Sequence, residues 1–145
     1  MKRILAVVLA ISICASVCLA LTGCGEKADF TVGICQLMEH ESLDKATEGF
    51  KAALIAALGE KGKTVAFTGG VAGGSDLCTT MVGTLTAQNV DLIMANATPA
   101  LLAAANATTS IPVLGTSVTD YADTFAGNIP ANVSGTSDAV PFDEQ

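Results

Sequence analysis

From residue 30 onward, short apolar runs alternate with segments whose apolar residues recur every three or four positions. Phe30 to Cys35 is an apolar run bounded by polar residues, and it predicts a buried strand. Leu43, Ala46, Phe50, Leu54, Ala57 and Leu58 then fall on one face of an amphipathic helix. Ser42 suits its N-cap, Asp44 its first turn and Gly59 its C-terminal stop. Thr64 to Thr68 predicts a second strand, and the glycine-rich loop Gly69–Gly74 leads to Ser75, the expected cap of a second helix striped by Leu77, Met81 and Leu85. Val90 to Ala95 is a third strand. Thr98 then caps an Ala-rich helix that runs to Asn106, with Pro99 at its first helical position. Ile111 to Gly115 forms a fourth strand, whose Pro112 marks its start or a sheet edge. Past Thr124 the pattern weakens into a turn-rich stretch with a short strand near Val133.

Strand–helix–strand repetition with short links implies parallel pairing through right-handed crossovers. Strands that are apolar throughout, rather than alternating, imply cover on both faces. The fold class expected is therefore α/β, a three-layer sandwich around a parallel sheet.

The first residues carry a different signal. Lys2 and Arg3 precede an almost unbroken apolar stretch, Ile4 to Leu21, that ends in Leu21-Thr22-Gly23-Cys24. A basic start, an apolar core and small residues before a cut site describe a signal peptide. The last four residues resemble the bacterial lipobox, whose cysteine sulfur is diacylated before cleavage. A membrane-spanning anchor is the alternative for a run near the roughly 20 residues a spanning helix needs, but Thr22-Gly23-Cys24 and the polar residues after it favour cleavage. The expected organisation is a lipoprotein signal peptide over 1–23, a short tether over 24–28 from lipidated Cys24, and one α/β lobe over 29–145. Two acyl chains suffice for stable anchoring where one does not. The chain is thus expected at the cell membrane, on the extracytoplasmic face.

Charge and cysteine usage narrow the function further. Loss of Lys2 and Arg3 leaves 5 basic residues against 14 acidic ones, a net −9 for the mature part. A chain this acidic, without a basic patch, is a poor partner for nucleic acid. Cys35 and Cys78 remain after the leader and the lipid site are set aside; pairing outside the cell is the alternative, but each falls in an element expected to be buried, where a free thiol behaves as a small hydrophobe. With one histidine and no CxxC, no metal site is expected, and nothing in the chain calls for a cofactor. Asn96, Asn106 and Asn132 match the glycosylation pattern, which beside a bacterial lipobox is coincidence; Asn96 and Asn132 better suit turns.

In an open parallel sheet, ligands bind beyond the carboxyl ends of the strands. The loops there are Gln36–Ser42, Asn96–Ala100 and Thr116–Asp120, all rich in hydroxyls and short polar groups. Two of them open helices, whose free N–H groups and positive dipole end favour anions.

Four segments, VGICQLMEHESLDKATEGFKAAL, VDLIMANATPALLAAANAT, IPVLGTSVTD and SGTSDAVPFDEQ, resemble in order the ABC transporter substrate-binding proteins of the tryptophan/tyrosine type (TrpX-like). The likeness covers nearly the whole mature chain. It implies a type 1 periplasmic-binding-protein lobe, a small-molecule ligand (an amino acid, often aromatic) and an ABC permease as membrane partner. Carried over by position, the ligand-facing residues would be Glu39 and His40 after the first strand, Thr98 and Pro99 at the third helix, Thr116, Thr119 and Asp120 after the fourth strand, and Ser137 and Asp138 near the end; Ser42 joins them as a capping residue at a helix start that faces the same edge. Glu41 and Tyr121 stand where the family commonly has proline, and the 69–74 glycines replace a more polar stretch. The family also continues for a second lobe beyond the position of Gln145, so the resemblance is to an N-terminal lobe.

Catalysis is not expected. The glycine-rich segment lacks the Gly-Lys-Ser/Thr of a phosphate loop and the Gly-x-Gly-x-x-Gly of a dinucleotide site. Gly-x-Ser-x-Gly is absent, and Glu39 and Glu41 share a loop where solvation is expected. The remaining alternative is a non-binding half-domain that acts only through self-association or a partner.

Overall fold

The central strands are apolar and covered on both faces, whereas the outer strands are partly exposed. The computed structural model describes residues 27–139; the expected signal peptide, Cys24 and the first part of the tether lie outside the described residues. Nine elements follow in order: β1 (Phe30–Gln36), α1 (Glu41–Gly59), β2 (Val65–Val71), α2 (Ser75–Ala87), β3 (Leu92–Asn96), α3 (Thr98–Ala107), β4 (Val113–Val118), α4 (Tyr121–Thr124) and β5 (Val133–Ser137). The five strands make one parallel sheet in the order β2-β1-β3-β4-β5.

Alternation along the strands sorts the core into two layers. Val32 and Ile34 of β1 and Met94 of β3 meet Phe50 and Leu54 of α1. On the other face Cys35, Ile93, Ala95 and Val113 pack with Cys78, Val82 and Leu85 of α2 and with Leu101 and Ala104 of α3. The expected three-layer sandwich is therefore present. Among the described residues α1 is the one helix on its face, and a groove of about 350 Å³ runs between it and the β4–β5 side, lined by Phe50, Ala53, Met94, Leu114 and Thr116.

Local expectations fail where glycine and capping are concerned. Gly69 and Gly70 are not loop: β2 continues through them to Val71, in register with Ile34, Cys35 and Gln36 of β1. Gly69 has φ 85°, and a Cβ there would collide with the carbonyl oxygen of Ile34, so glycine permits the strand to stay this close to β1. Gly74, not Ser75, is the N-cap of α2, and no side chain caps that end. At the end of α1, Gly59 is the last helical residue; Leu58 O accepts from both Lys61 N and Lys63 N, and the left-handed residue is Gly62 at φ 65°. The third strand begins at Leu92 because Asn89, at φ 52°, turns the chain and Asp91 docks on Thr31 through its backbone N–H and its carboxylate. The fourth begins after Pro112, whose missing N–H is compatible with a strand start.

Tyr121 fits over the β4–β5 seam because two glycines leave it room. A Cβ on Gly115 or Gly135 would collide with its hydroxyl oxygen. Burial, with Asp138 nearby, raises the Tyr121 pKa. At the opposite end of the sheet Asp29 accepts from Lys63 Nζ at 2.8 Å and from Thr64 N at 2.8 Å, which ties the start of β1 to the start of β2 and lowers the Asp29 pKa to about 2.

Cys35 and Cys78 are both fully buried and free. Burial pushes the Cys35 thiol from 9.0 up to about 12, so the native state keeps a proton that the unfolded chain releases. Its contribution to stability is full below pH 9.0 and falls as pH rises from there through about 12. Iodoacetamide at pH 8 should leave Cys35 and Cys78 unmodified in the folded full chain and label both in denaturant; peptide mapping that finds them alkylated without denaturant contradicts the burial. A paired glycine test separates space from entropy. Gly115→Ala should lower unfolding free energy by about 1–3 kcal/mol through overpacking against Tyr121. Gly83→Ala, in exposed mid-α2 with nothing within 4 Å of the added carbon, should raise it by about 0.5–1 kcal/mol. Urea unfolding of both variants reads the two signs.

Candidate functional site

The chain order places a switch point between β1 and β3. The connection from β1 leads to one outer strand, β2, and the connection from β3 leads the other way, to β4. Loops leaving the carboxyl ends of β1 and β3 therefore diverge to opposite faces and leave a crevice between them, the usual ligand position in such sheets. Gln36 and Asn96, the last residues of the two strands, are register partners at that point.

All ten residues expected to face a ligand lie along this carboxyl edge, in three groups. The first is the β1–α1 loop. His40, rather than Ser42, is the N-cap of α1: its carbonyl accepts from Asp44 N at 2.8 Å and its Nδ1 accepts from Ser42 N at 3.3 Å. Ser42 lies inside the first turn, with its Oγ 2.8 Å from His40 Nδ1. Extended backbone at His40 (φ −162°, ψ 134°) is what the cap position needs, and the helix therefore starts earlier than the apolar spacing suggests. Glu39 stands exposed beside them.

The second group is the start of α3. Ala97, not Thr98, is the N-cap; Thr98 is the first helical residue and Pro99 the second. Ala97 adopts φ 87° and ψ 154°, a region that alanine rarely visits. It is held there from both sides: Ala97 N donates to Thr116 O at 2.9 Å, and Ala97 O accepts from Leu101 N at 3.0 Å. The third group closes the edge at β4 and β5. Ser137 Oγ donates to Thr119 O at 2.5 Å, Asp138 N donates to Val118 O at 3.2 Å, and Thr116 and Thr136 share a hydroxyl contact of 3.3 Å. Asp120 caps α4 by accepting from Asp123 N at 2.9 Å, so its carboxylate already has a structural duty.

The two longer helix ends differ electrostatically. Glu41 and Asp44 occupy the first turn of α1 and offset its positive dipole end. No acid lies in the first turn of α3. An anion is therefore favoured at α3 and disfavoured at α1, and only one of the two expected anion-receptive ends survives.

Sequence reasoning missed the floor of the crevice. Gln36 and Asn96 are 2% and 0% exposed, and Asn96 is part of a strand and its buried floor, not a turn. Asn132 does lie in a turn, closed by Val133 N donating to Pro130 O at 2.9 Å, but neither it nor Asn96 takes a positive φ, and the Asn132 side chain donates to the carbonyls of Thr108 and Ile111. Asn96 Nδ2 donates to Leu43 O at 2.7 Å and to Thr47 Oγ1 at 2.9 Å. Thr47 Oγ1 donates to Gln36 Oε1 at 2.6 Å, and Gln36 Nε2 reaches Asp44 Oδ1 at 2.5 Å and Met38 O at 2.9 Å. Asn96 Oδ1 finds no donor among the described residues, which for a buried acceptor costs about 1–3 kcal/mol. A signal was present: a polar residue closing each of two apolar strands, with a threonine among the apolar positions of the helix. Beside this network a cavity of about 210 Å³ opens between α1 and the end of β2, bordered by Gln36, Asp44, Glu48, Lys51 and Val71.

Comparison with known proteins shows the family. Residues 31–145 match the family described as ABC transporter substrate binding protein. The chain is 38% identical over 132 residues to a tyrosine-binding protein of Clostridioides difficile (strain R20291), covering 81% of this chain and 36% of that relative. It superposes on the ligand-free, open structure of a substrate-binding protein with adhesive properties from Clostridium difficile, with TM-score 0.68, 33% identity, and coverage of 79% of this chain and 41% of that one. It also superposes on a Streptococcus pneumonia ABC domain in complex with L-Trp, with TM-score 0.69, 29% identity, and coverage of 81% and 41%. The chain thus spans well under half the length of these relatives, and across the part it shares it belongs to the ABC transporter substrate-binding protein family.

Proposed function

We propose that this chain is the N-terminal lobe of an extracytoplasmic receptor that binds an amino acid, aromatic by preference, for an ABC importer. The observation that carries the reading is the carboxyl edge itself, where an uncompensated helix N-terminus at α3 lies among the hydroxyl-bearing loops. An amino acid carboxylate suits the N–H groups that open α3, with Thr98 beside it. Its ammonium suits an exposed carboxylate at the same edge, Glu39 in the β1–α1 loop or Asp120 after β4. That relatives of this chain include a tyrosine-binding protein and an L-Trp complex supports an aromatic side chain.

The membrane attachment in this reading comes from Cys24, which lies outside the described residues. Among the described residues no helix is long and apolar enough to cross a membrane. Cys24→Ala should abolish palmitate incorporation and release the chain from the membrane fraction; palmitate label retained by that variant defeats the anchor.

Ligand binding is tested by titrating the full chain, in detergent, with Trp, Tyr, Phe and a panel of other amino acids into the millimolar range. Saturable uptake of an aromatic amino acid is expected. A folded sample that binds none overturns the receptor reading and leaves the half-domain acting through a partner. Asp120→Asn keeps an acceptor for the α4 cap while removing the charge. It should weaken binding by about 1 kcal/mol with little change in melting temperature. Unchanged affinity removes Asp120 from the ammonium side.

A further inference from the structure

We propose that Gln36, Thr47 and Asn96 form a positioning relay that sets the β1–α1 loop against the start of α3 across the crevice. The inference rests on the ligand-binding reading above.

The relay is directional. The Thr47 hydroxyl has one proton and gives it to Gln36 Oε1 at 2.6 Å, which leaves its oxygen to receive Asn96 Nδ2 at 2.9 Å. From Gln36 the bonds continue to Met38 O and Asp44 Oδ1, the loop and the first turn of α1. From Asn96 a second bond reaches Leu43 O in the same turn. Asn96 is followed immediately by strained Ala97 and by Thr98 at the head of α3. One connected set of hydrogen bonds therefore spans from the loop that carries Glu39 and His40 to the strand end that launches α3.

Simple packing does not require these residue types. Two positions earlier on the same strands, facing the same helix, stand Ile34 and Met94, and α1 is held there by Phe50 and Leu54. Apolar contact is non-directional and tolerates rotation or sliding of a helix. Hydrogen bonds constrain both distance and angle. The polar substitution falls only at the crevice end, and it is retained there although Asn96 Oδ1 is left without a donor among the described residues. A buried polar group kept at a cost, next to a strained backbone, marks geometry that the site needs.

The test compares Thr47→Val, which keeps the shape and loses the hydroxyl, with Thr47→Ser, which restores it, in the full chain. Val82→Ala is the control, a buried α2 position on the opposite face. Amide hydrogen exchange, melting temperature and amino acid titration are read on all three. Thr47→Val should speed exchange over residues 37–44 by about tenfold more than over 52–58, and weaken amino acid binding by about tenfold. Thr47→Ser should restore both. Val82→Ala should lower the melting temperature without singling out 37–44 and without changing affinity where the chain is folded. Exchange in Thr47→Val that rises evenly along α1, or stays unchanged, overturns the relay, as does failure of Thr47→Ser to restore it. If the unsubstituted chain takes up no amino acid, the receptor reading fails and the local exchange pattern alone decides the relay.

Discussion

The pairing of β1 with β3 governs where every loop at the carboxyl edge can go. These two strands are neighbours in the sheet but not in the chain, and the connections leaving them run in opposite directions. Right-handed crossovers then require α1 on one face and α2 with α3 on the other, which is how the two core layers divide. A helix start is delivered to each side of the same seam. The polar ends of the paired strands, Gln36 and Asn96, sit at the bottom of the split, where apolar side chains would have closed it.

Around that seam the fold spends its special backbone. Gly69 lets β2 approach β1, Gly115 and Gly135 admit the Tyr121 ring over β4 and β5, and Ala97 takes a glycine-like conformation without being glycine. Gly69 and Ala97 sit toward the carboxyl side of the sheet, and Gly115 and Gly135 lie mid-strand. By contrast the amino side, where Asp29, Lys63 and Thr64 meet, is tied by an exposed ion pair and ordinary hydrogen bonds. Exposed pairs of that kind contribute little to stability, so that end is organised by strand register more than by electrostatics.

What was legible in the residues follows from what periodicity encodes. Four of the five strands, the three long helices and their layer order could be read because continuous apolar runs and three-to-four spacing report burial directly; β5 showed only as a short strand near Val133, since one buried residue in five carries little pattern. Caps were misplaced for one shared reason: Ser42, Ser75 and Thr98 have capping side chains, but the chain enters each helix one or two residues earlier, at His40, Gly74 and Ala97. Entry is decided by backbone conformation, which composition reports poorly. Gly69 and Gly70 were read as loop because glycine usually punctuates, whereas here its missing Cβ relieves a collision inside a strand. Asn96 suits a turn by residue type, and its partner, Thr47, is 49 positions away in the chain, so the one local signal is its place at the end of an apolar strand.

The strength of binding that one edge can supply follows from its openness. A carboxylate at the head of α3 gains about 0.3–1 kcal/mol from the dipole where it is exposed, rising toward about 2 where it is partly buried. One or two hydrogen bonds add about 0.5–1.5 kcal/mol each, and charges such as Glu39 and Asp120, both exposed, are screened by salt. The sum is about 1–5 kcal/mol, which corresponds to a dissociation constant of a few tenths of a millimolar at best and far weaker at the low end. Tighter binding requires the aromatic side chain to leave water, and that needs a second surface facing this one. The matched relatives are about twice as long as this chain, which covers only 36–41% of them. Affinity well beyond millimolar would therefore mean that a second surface, from further chain or from another copy, had closed over the edge.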